Sequence, residues 1–128
     1  MKEKLEKLID NAYAPYSKFK VGAICVMKDL KEFQGVNVEN ASYGAGICAE
    51  RSAILGAISA GYKKHDFEKL YVMVKQDKIS TPCFMCRQVI NEFYEPNKEV
   101  ICMDINGQSK VYTVKELCPY PFDESDLI

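Results

Sequence analysis

The residues of this chain best suited to chemistry lie in two short segments, Cys48-Ala49-Glu50-Arg51 and Pro82-Cys83-Phe84-Met85-Cys86-Arg87-Gln88. Three cysteine thiolates at this spacing can hold a zinc ion and leave a fourth position open for water. Glu50 is a carboxylate outside that ligand set and can move protons to and from such a water. Cys48, Cys83 and Cys86 are therefore the candidate metal ligands, and Glu50 is the candidate proton carrier.

Both segments are predicted to open helices. Unpaired backbone N–H groups and the helix dipole favour negative charge there. That lowers a thiol's pKa toward the thiolate, the form that binds zinc. Residues i and i+2 within a helix do not face one way. Cys48 and Glu50 can converge only if Cys48 sits at the cap with non-helical dihedrals and Glu50 in the first turn. Zinc with three thiolates is formally anionic, which weakens it as a Lewis acid. Hydrogen-bond donors to the sulfurs must offset this, and Arg51 and Gln88 are the candidates, with Arg87 free to pair elsewhere.

Two other readings of the Cys-x-x-Cys pair fit less well. A zinc ribbon needs a fourth protein ligand. Cys25, Cys102 and Cys118 stand in apolar strand or tail contexts and read as small core residues. His65 is the lone histidine and follows two lysines in a loop. A thioredoxin-like redox pair leaves Cys48-Ala49-Glu50 unexplained.

The elements that must position these residues follow from periodicity. Residues 2–12 carry Leu5, Leu8, Ile9 and Ala12 at helical spacing. Residues 20–27 and 32–38 read as paired strands around a turn at 28–31. Residues 41–46 form a small-residue loop, and 47–60 a helix ended by Gly61. A strand at 70–75 leads through Ser80-Thr81-Pro82 into a helix over 83–94. Strands at 100–104 and 110–113 flank an Asn106-Gly107 turn, and Pro119 and Pro121 make the tail irregular. This order predicts an α/β fold: a mixed five-stranded sheet in a three-layer α/β/α sandwich. Helices joining consecutive strands should leave those strands parallel.

The totals bound the function. At 128 residues one domain over 1–128 is expected. The 48% hydrophobic and 27% charged content suits a globular core. A net charge of -1 and the lack of a basic stripe argue against a nucleic-acid partner. Residues 52–62, the longest fairly apolar stretch, are too few to span a bilayer. With no apolar signal segment near Met1, the six cysteines are read as reduced and the compartment as cytoplasm.

Beyond the metal pattern, several further segments occur in order. They are Tyr13-Ala-Pro-Tyr-Ser-Lys-Phe-Lys-Val-Gly22, Gly35-Val-Asn-Val-Glu-Asn-Ala-Ser-Tyr43, Pro82-x-x-x-Cys86-Arg-Gln88 and Pro119-x-x-Phe122. With these the chain resembles the small homotetrameric cytidine deaminases along nearly its whole length. The resemblance implies zinc on Cys48, Cys83 and Cys86, with Glu50 as the proton shuttle. It implies that Asn37 and Glu39 hold the sugar hydroxyls, that Phe19 packs against the pyrimidine, and that the Ala49 backbone holds the base edge. Ala41, Tyr43 and Phe122 match positions that reach a neighbouring subunit's site. The implied reaction is hydrolytic deamination of cytidine and 2′-deoxycytidine in pyrimidine salvage, and the implied assembly is a homotetramer.

The chain departs from that family between the paired cysteines. Phe84 and Met85 stand where small residues are usual, and the tail reads Leu117-Cys118-Pro119-Tyr120-Pro121. The competing readings are a deaminase of a modified cytosine nucleoside such as blasticidin S, a nucleic-acid editor, and a non-catalytic zinc-binding protein. Asn37 and Glu39 favour a free ribose-like sugar, and the charge disfavours the editor. Glu50 disfavours the non-catalytic protein. Deoxycytidylate is disfavoured because no glycine-rich phosphate loop is present.

Overall fold

Alternating apolar positions make the central strands, and helical spacing makes the covers. A computed structural model describes residues 1–127. In order it contains α1 (Lys2–Ile9), β1 (Val21–Met27), β2 (Glu32–Val36), α2 (Ala49–Ser59), β3 (Phe67–Val74), α3 (Phe84–Phe93), β4 (Glu99–Met103), β5 (Ser109–Thr113) and α4 (Val114–Leu117), with 3-10 turns at Tyr43–Ala45 and Glu124–Leu127. The sheet order is β2-β1-β3-β4-β5.

Strand β1 pairs antiparallel with both β2 and β3, so β2 and β3 run in the same direction on either side of it. Strands β3 and β4 are parallel and adjacent, and β5 closes the edge antiparallel to β4. The expected mixed five-stranded sheet is present, and both helix-linked strand pairs are parallel.

The period-2 pattern divides the core into two faces. On one face Leu5, Leu8 and Ile9 of α1 pack on Ile24 and Met73. On the other, Ala53, Ile54 and Ala57 of α2 and Ile90 of α3 pack on Ala23, Cys25, Leu70, Val72 and Cys102. The sheet is thus covered on both sides, as a three-layer sandwich requires. The first helix stops at Ile9, short of the expected residue 12, while Ala12 stays buried in the turn that follows.

This topology places the site. The C-terminal ends of β2 and β3 lie at the same edge of the sheet, and each strand feeds a helix from that edge. Ligand sites in open α/β sheets form at such strand ends. Cys48 opens α2 and Cys83 opens α3, so the two half-motifs meet there.

A helical turn absent from the expected element order precedes the tail, which is irregular around Pro119 and Pro121 as expected. Val114–Leu117 forms one helical turn, closed by a capping box in which the Thr113 side chain accepts from the Glu116 N–H and Glu116 accepts from the Thr113 N–H.

Candidate metal centre and adjoining cavities

Cys48 is the N-cap of α2, with φ -80 and ψ 155, and Glu50 lies in the first helical turn. This is the arrangement the i, i+2 spacing demands. Cys83 is likewise the N-cap of α3, in extended backbone, and Cys86 follows one turn in. Neither cap residue spends its side chain on the helix backbone, so both sulfurs remain available.

The Sγ atoms of Cys48, Cys83 and Cys86 all lie within 4.8 Å of one another. Zn–S bonds of about 2.3 Å in a tetrahedron put sulfurs roughly 3.8 Å apart. The Cys48 and Cys83 sulfurs are 3.8 Å apart. Cys86 is buried, Cys48 half-buried and Cys83 exposed, which leaves one side of the cluster open. The donor set and its spacing fit zinc. The Cys48 thiol is drawn down to about 5, chiefly by its hydrogen bond with Cys86 and further by Arg51, while that of Cys86 is pushed up by the same pairing and by burial.

Arg51 Nη2 donates to Cys48 Sγ at 3.6 Å, the sulfur-directed cation that the electrostatics require. Gln88 behaves differently from the expectation. Its Nε2 donates to the Phe122 carbonyl at 2.8 Å and so ties the tail to α3. Arg87 pairs away from the sulfurs and clamps the loop that delivers Cys83. Its Nε donates to the Pro82 carbonyl at 2.7 Å, Nη2 to Thr81 Oγ1 at 2.7 Å and Nη1 to the Leu117 carbonyl at 3.0 Å.

Glu50 is 5% exposed, and burial pushes its carboxyl up to about 7. A carboxyl poised near neutrality suits general acid–base work. It lines a cavity of about 250 Å³ together with Phe19, Asn37, Cys48, Ala49, Val72, Ser80, Thr81 and Cys83. Val72, Ser80 and Thr81 were not foreseen, because nothing in their local spacing marks them.

A second cavity of about 520 Å³ is lined by Tyr16, Ser17, Asn37, Glu39, Tyr43, Cys48 and Arg51, among others. Asn37 and Cys48 border both cavities. The 37–39 segment is held firmly between its neighbours. Val38 exchanges N–H and C=O bonds with Ile47, both at 3.0 Å, and the Glu39 N–H reaches the Tyr13 carbonyl at 2.8 Å.

Asn37 is more committed than a free ligand residue would be. Its Oδ1 accepts from the Val21 N–H and its Nδ2 donates to the Phe19 carbonyl, both at 2.8 Å. Glu39 accepts from the N–H groups of Tyr16 and Ser17 and from the Ser17 hydroxyl, and that hydroxyl leads in holding its carboxyl below the usual range. Ala41, Tyr43 and Phe122 stand at the surface, Tyr43 82% and Phe122 56% exposed. Cys25 and Cys102 are fully buried core residues, as their contexts suggested.

An α/β sandwich with a three-thiolate centre beside a buried carboxylate is the architecture of a zinc-dependent hydrolytic enzyme. Sequence comparison makes the class specific. The profile of the cytidine and deoxycytidylate deaminase zinc-binding region matches residues 1–103. The cytidine deaminase of Mycoplasma genitalium is 36% identical over 123 residues, covering 96% of this chain and 93% of the relative. That of Halalkalibacterium halodurans is 39% identical over 118 residues, covering 92% and 88%. The crystal structure of cytidine deaminase from Burkholderia pseudomallei superposes with a TM-score of 0.89 at 42% identity, covering 94% of each chain. The chain belongs to the cytidine and deoxycytidylate deaminase family.

Proposed function

We propose that this protein, acting as a single domain over residues 1–128, hydrolyses cytidine and 2′-deoxycytidine to uridine and 2′-deoxyuridine with release of ammonia. The observation that carries the reading is the placement of Glu50. It is buried, and it shares one cavity with two of the three thiols and with an aromatic ring, Phe19.

Zinc held by Cys48, Cys83 and Cys86 would supply Lewis-acid activation of water. The remaining steps belong to the chain. Phe19 offers a face against which a pyrimidine can stack, and Val72 and Val74 line the same cavity and limit water. Glu50 takes a proton from the attacking water and passes it to the ring N3. The water oxygen adds to C4, the C4–N bond breaks, and Glu50 carries the second proton to the departing amine. The backbone of Ala49, at the cavity wall, is suited to hold the base edge, and Asn37 and Glu39 to receive the sugar. Arg51, donating to Cys48, offsets the thiolate charge. Gln88, hydrogen-bonded to the tail, supports Phe122 rather than a sulfur.

The working assembly is a homotetramer with shared sites, in which Ala41, Tyr43 and Phe122 meet a neighbouring subunit. Their exposure in the single chain supports this. The setting is cytoplasmic pyrimidine salvage, and among the described residues no helix is long and apolar enough to cross a membrane. The near-zero net charge supports a small nucleoside rather than a nucleic acid as the partner.

Ammonia release from cytidine, 2′-deoxycytidine and blasticidin S, measured side by side on protein of known zinc content, tests the reading. Turnover of the two nucleosides is expected. Activity on blasticidin S alone would replace the substrate, and zinc-loaded protein inert on all three would overturn the function.

A further inference from the structure

Phe19 forms one wall of the Glu50 cavity, and side chains hold both of its backbone polar groups. Its carbonyl accepts from Asn37 Nδ2 at 2.8 Å. Its N–H donates to Ser17 Oγ at 3.0 Å. The Ser17 hydroxyl in turn donates to Glu39 Oε2, while the N–H groups of Ser17 and Tyr16 donate to Glu39 Oε1 at 3.1 and 3.0 Å.

A hydroxyl has one proton to donate and two lone pairs to offer. With its proton committed to Glu39, the Ser17 oxygen turns a lone pair toward Phe19. The residue between them, Lys18, has φ 61, in the left-handed region that a side chain other than glycine disfavours. The turn that sets the ring therefore needs outside support, and it receives that support from Glu39 through Ser17. Glu39 and Ser17 line the larger cavity, whereas Phe19 and Glu50 line the smaller. The chain of bonds thus runs from one cavity to the other.

We propose that Ser17 is a positioning residue, which couples the carboxylate that receives the sugar to the aromatic wall that receives the base. This rests on the nucleoside reading above. It makes the stacking surface part of a connected unit rather than a ring fixed by core packing alone. A substrate engaging Glu39 then meets a base wall already set, so the effect falls on binding more than on the proton transfers at Glu50.

The test is Ser17→Ala, assayed on cytidine with zinc content and circular dichroism matched to the unaltered enzyme. KM is expected to rise about tenfold, with kcat within about twofold. Hydrogen exchange at the Phe19 amide should accelerate. Ser17→Thr, which keeps the hydroxyl, should recover most of the lost affinity. In Ser17→Ala/Glu39→Gln the second substitution should add less than it does alone. An active parent enzyme whose KM is unmoved by Ser17→Ala, a loss confined to kcat, or a Phe19 amide indifferent to the change would each overturn the coupling. A parent enzyme inactive on cytidine would instead overturn the nucleoside reading on which the coupling rests.

Discussion

Gly35 of β2 and Ala49 of α2 meet backbone to backbone. A Cβ on Gly35 would stand 2.5 Å from the Ala49 carbonyl oxygen and 2.5 Å from the Ala53 amide nitrogen. Neither atom can rotate away, since both belong to the helix. The missing side chain lets α2 rest directly on the strand, and that contact sets the height of Cys48 and Glu50 at the cavity edge. Gly35→Ala should destabilise the protein by about 1–3 kcal/mol, as overpacking does, and should weaken zinc retention. Thermal unfolding together with metal analysis checks this, and a variant with unchanged Tm and full zinc would refute the contact's role.

Arg87 gives a second prediction. Its half-buried guanidinium bonds to Pro82, Thr81 and Leu117, joining the Cys83 loop to the tail. Arg87→Ala leaves the Pro82 and Leu117 carbonyls without this partner, and a loss of about 2–3 kcal/mol is expected. Arg87→Lys should recover little, because a point charge cannot reproduce the planar fork. Zinc release to a chromogenic chelator should be faster in both variants. Release at the parent rate would show that the loop holds its shape without the clamp.

Arg51 acts on the sulfur itself. Its cation favours the charged form of Cys48, so removing it raises the Cys48 pKa. Zinc binding requires the thiolate. In Arg51→Ala the pH midpoint of zinc uptake should therefore move upward, and zinc affinity at neutral pH should fall roughly 10–100-fold. Competition with a chelator across a pH series measures both. An unshifted midpoint would contradict the assignment.

Phe84 is one of the two bulky residues between the paired cysteines, and its ring lies 4.4 Å from the Arg87 guanidinium carbon while it remains 76% exposed. The ring thus packs on the guanidinium of the clamp. An exposed cation–π contact is worth about 0.5–1 kcal/mol, so Phe84→Ala should lower stability by no more than that and leave zinc stoichiometry intact. Loss of zinc from Phe84→Ala would place the ring closer to metal retention than its contact with Arg87 implies.

The sequence made the metal site legible because helix starts carry their own signal. Cys48 and Cys83 each stand where the pattern turns helical, and both are N-caps. The strands were legible for the same local reason, with boundaries shifted by a few residues. The capping box at Thr113 and Glu116 was also present as T-x-x-E but was masked by the prolines that follow. Contacts distant in sequence were hidden. Arg87 finds the Leu117 carbonyl, Gln88 finds Phe122, and Asn37 spends its amide on Phe19 and Val21. None of these pairings leaves a periodicity or spacing, since each depends on how the 13–20 turn and the tail return to the sheet edge.

The central claim is that Glu50 moves the protons of a hydrolytic deamination at a three-thiolate zinc site. Its most direct test is ammonia release from cytidine by Glu50→Gln at matched zinc content. Glutamine keeps the shape of the side chain and removes its titrating oxygen. Zinc content and fold should be retained while turnover falls at least ~10³-fold. A Glu50→Gln enzyme that holds zinc and turns over near the parent rate would contradict the mechanism.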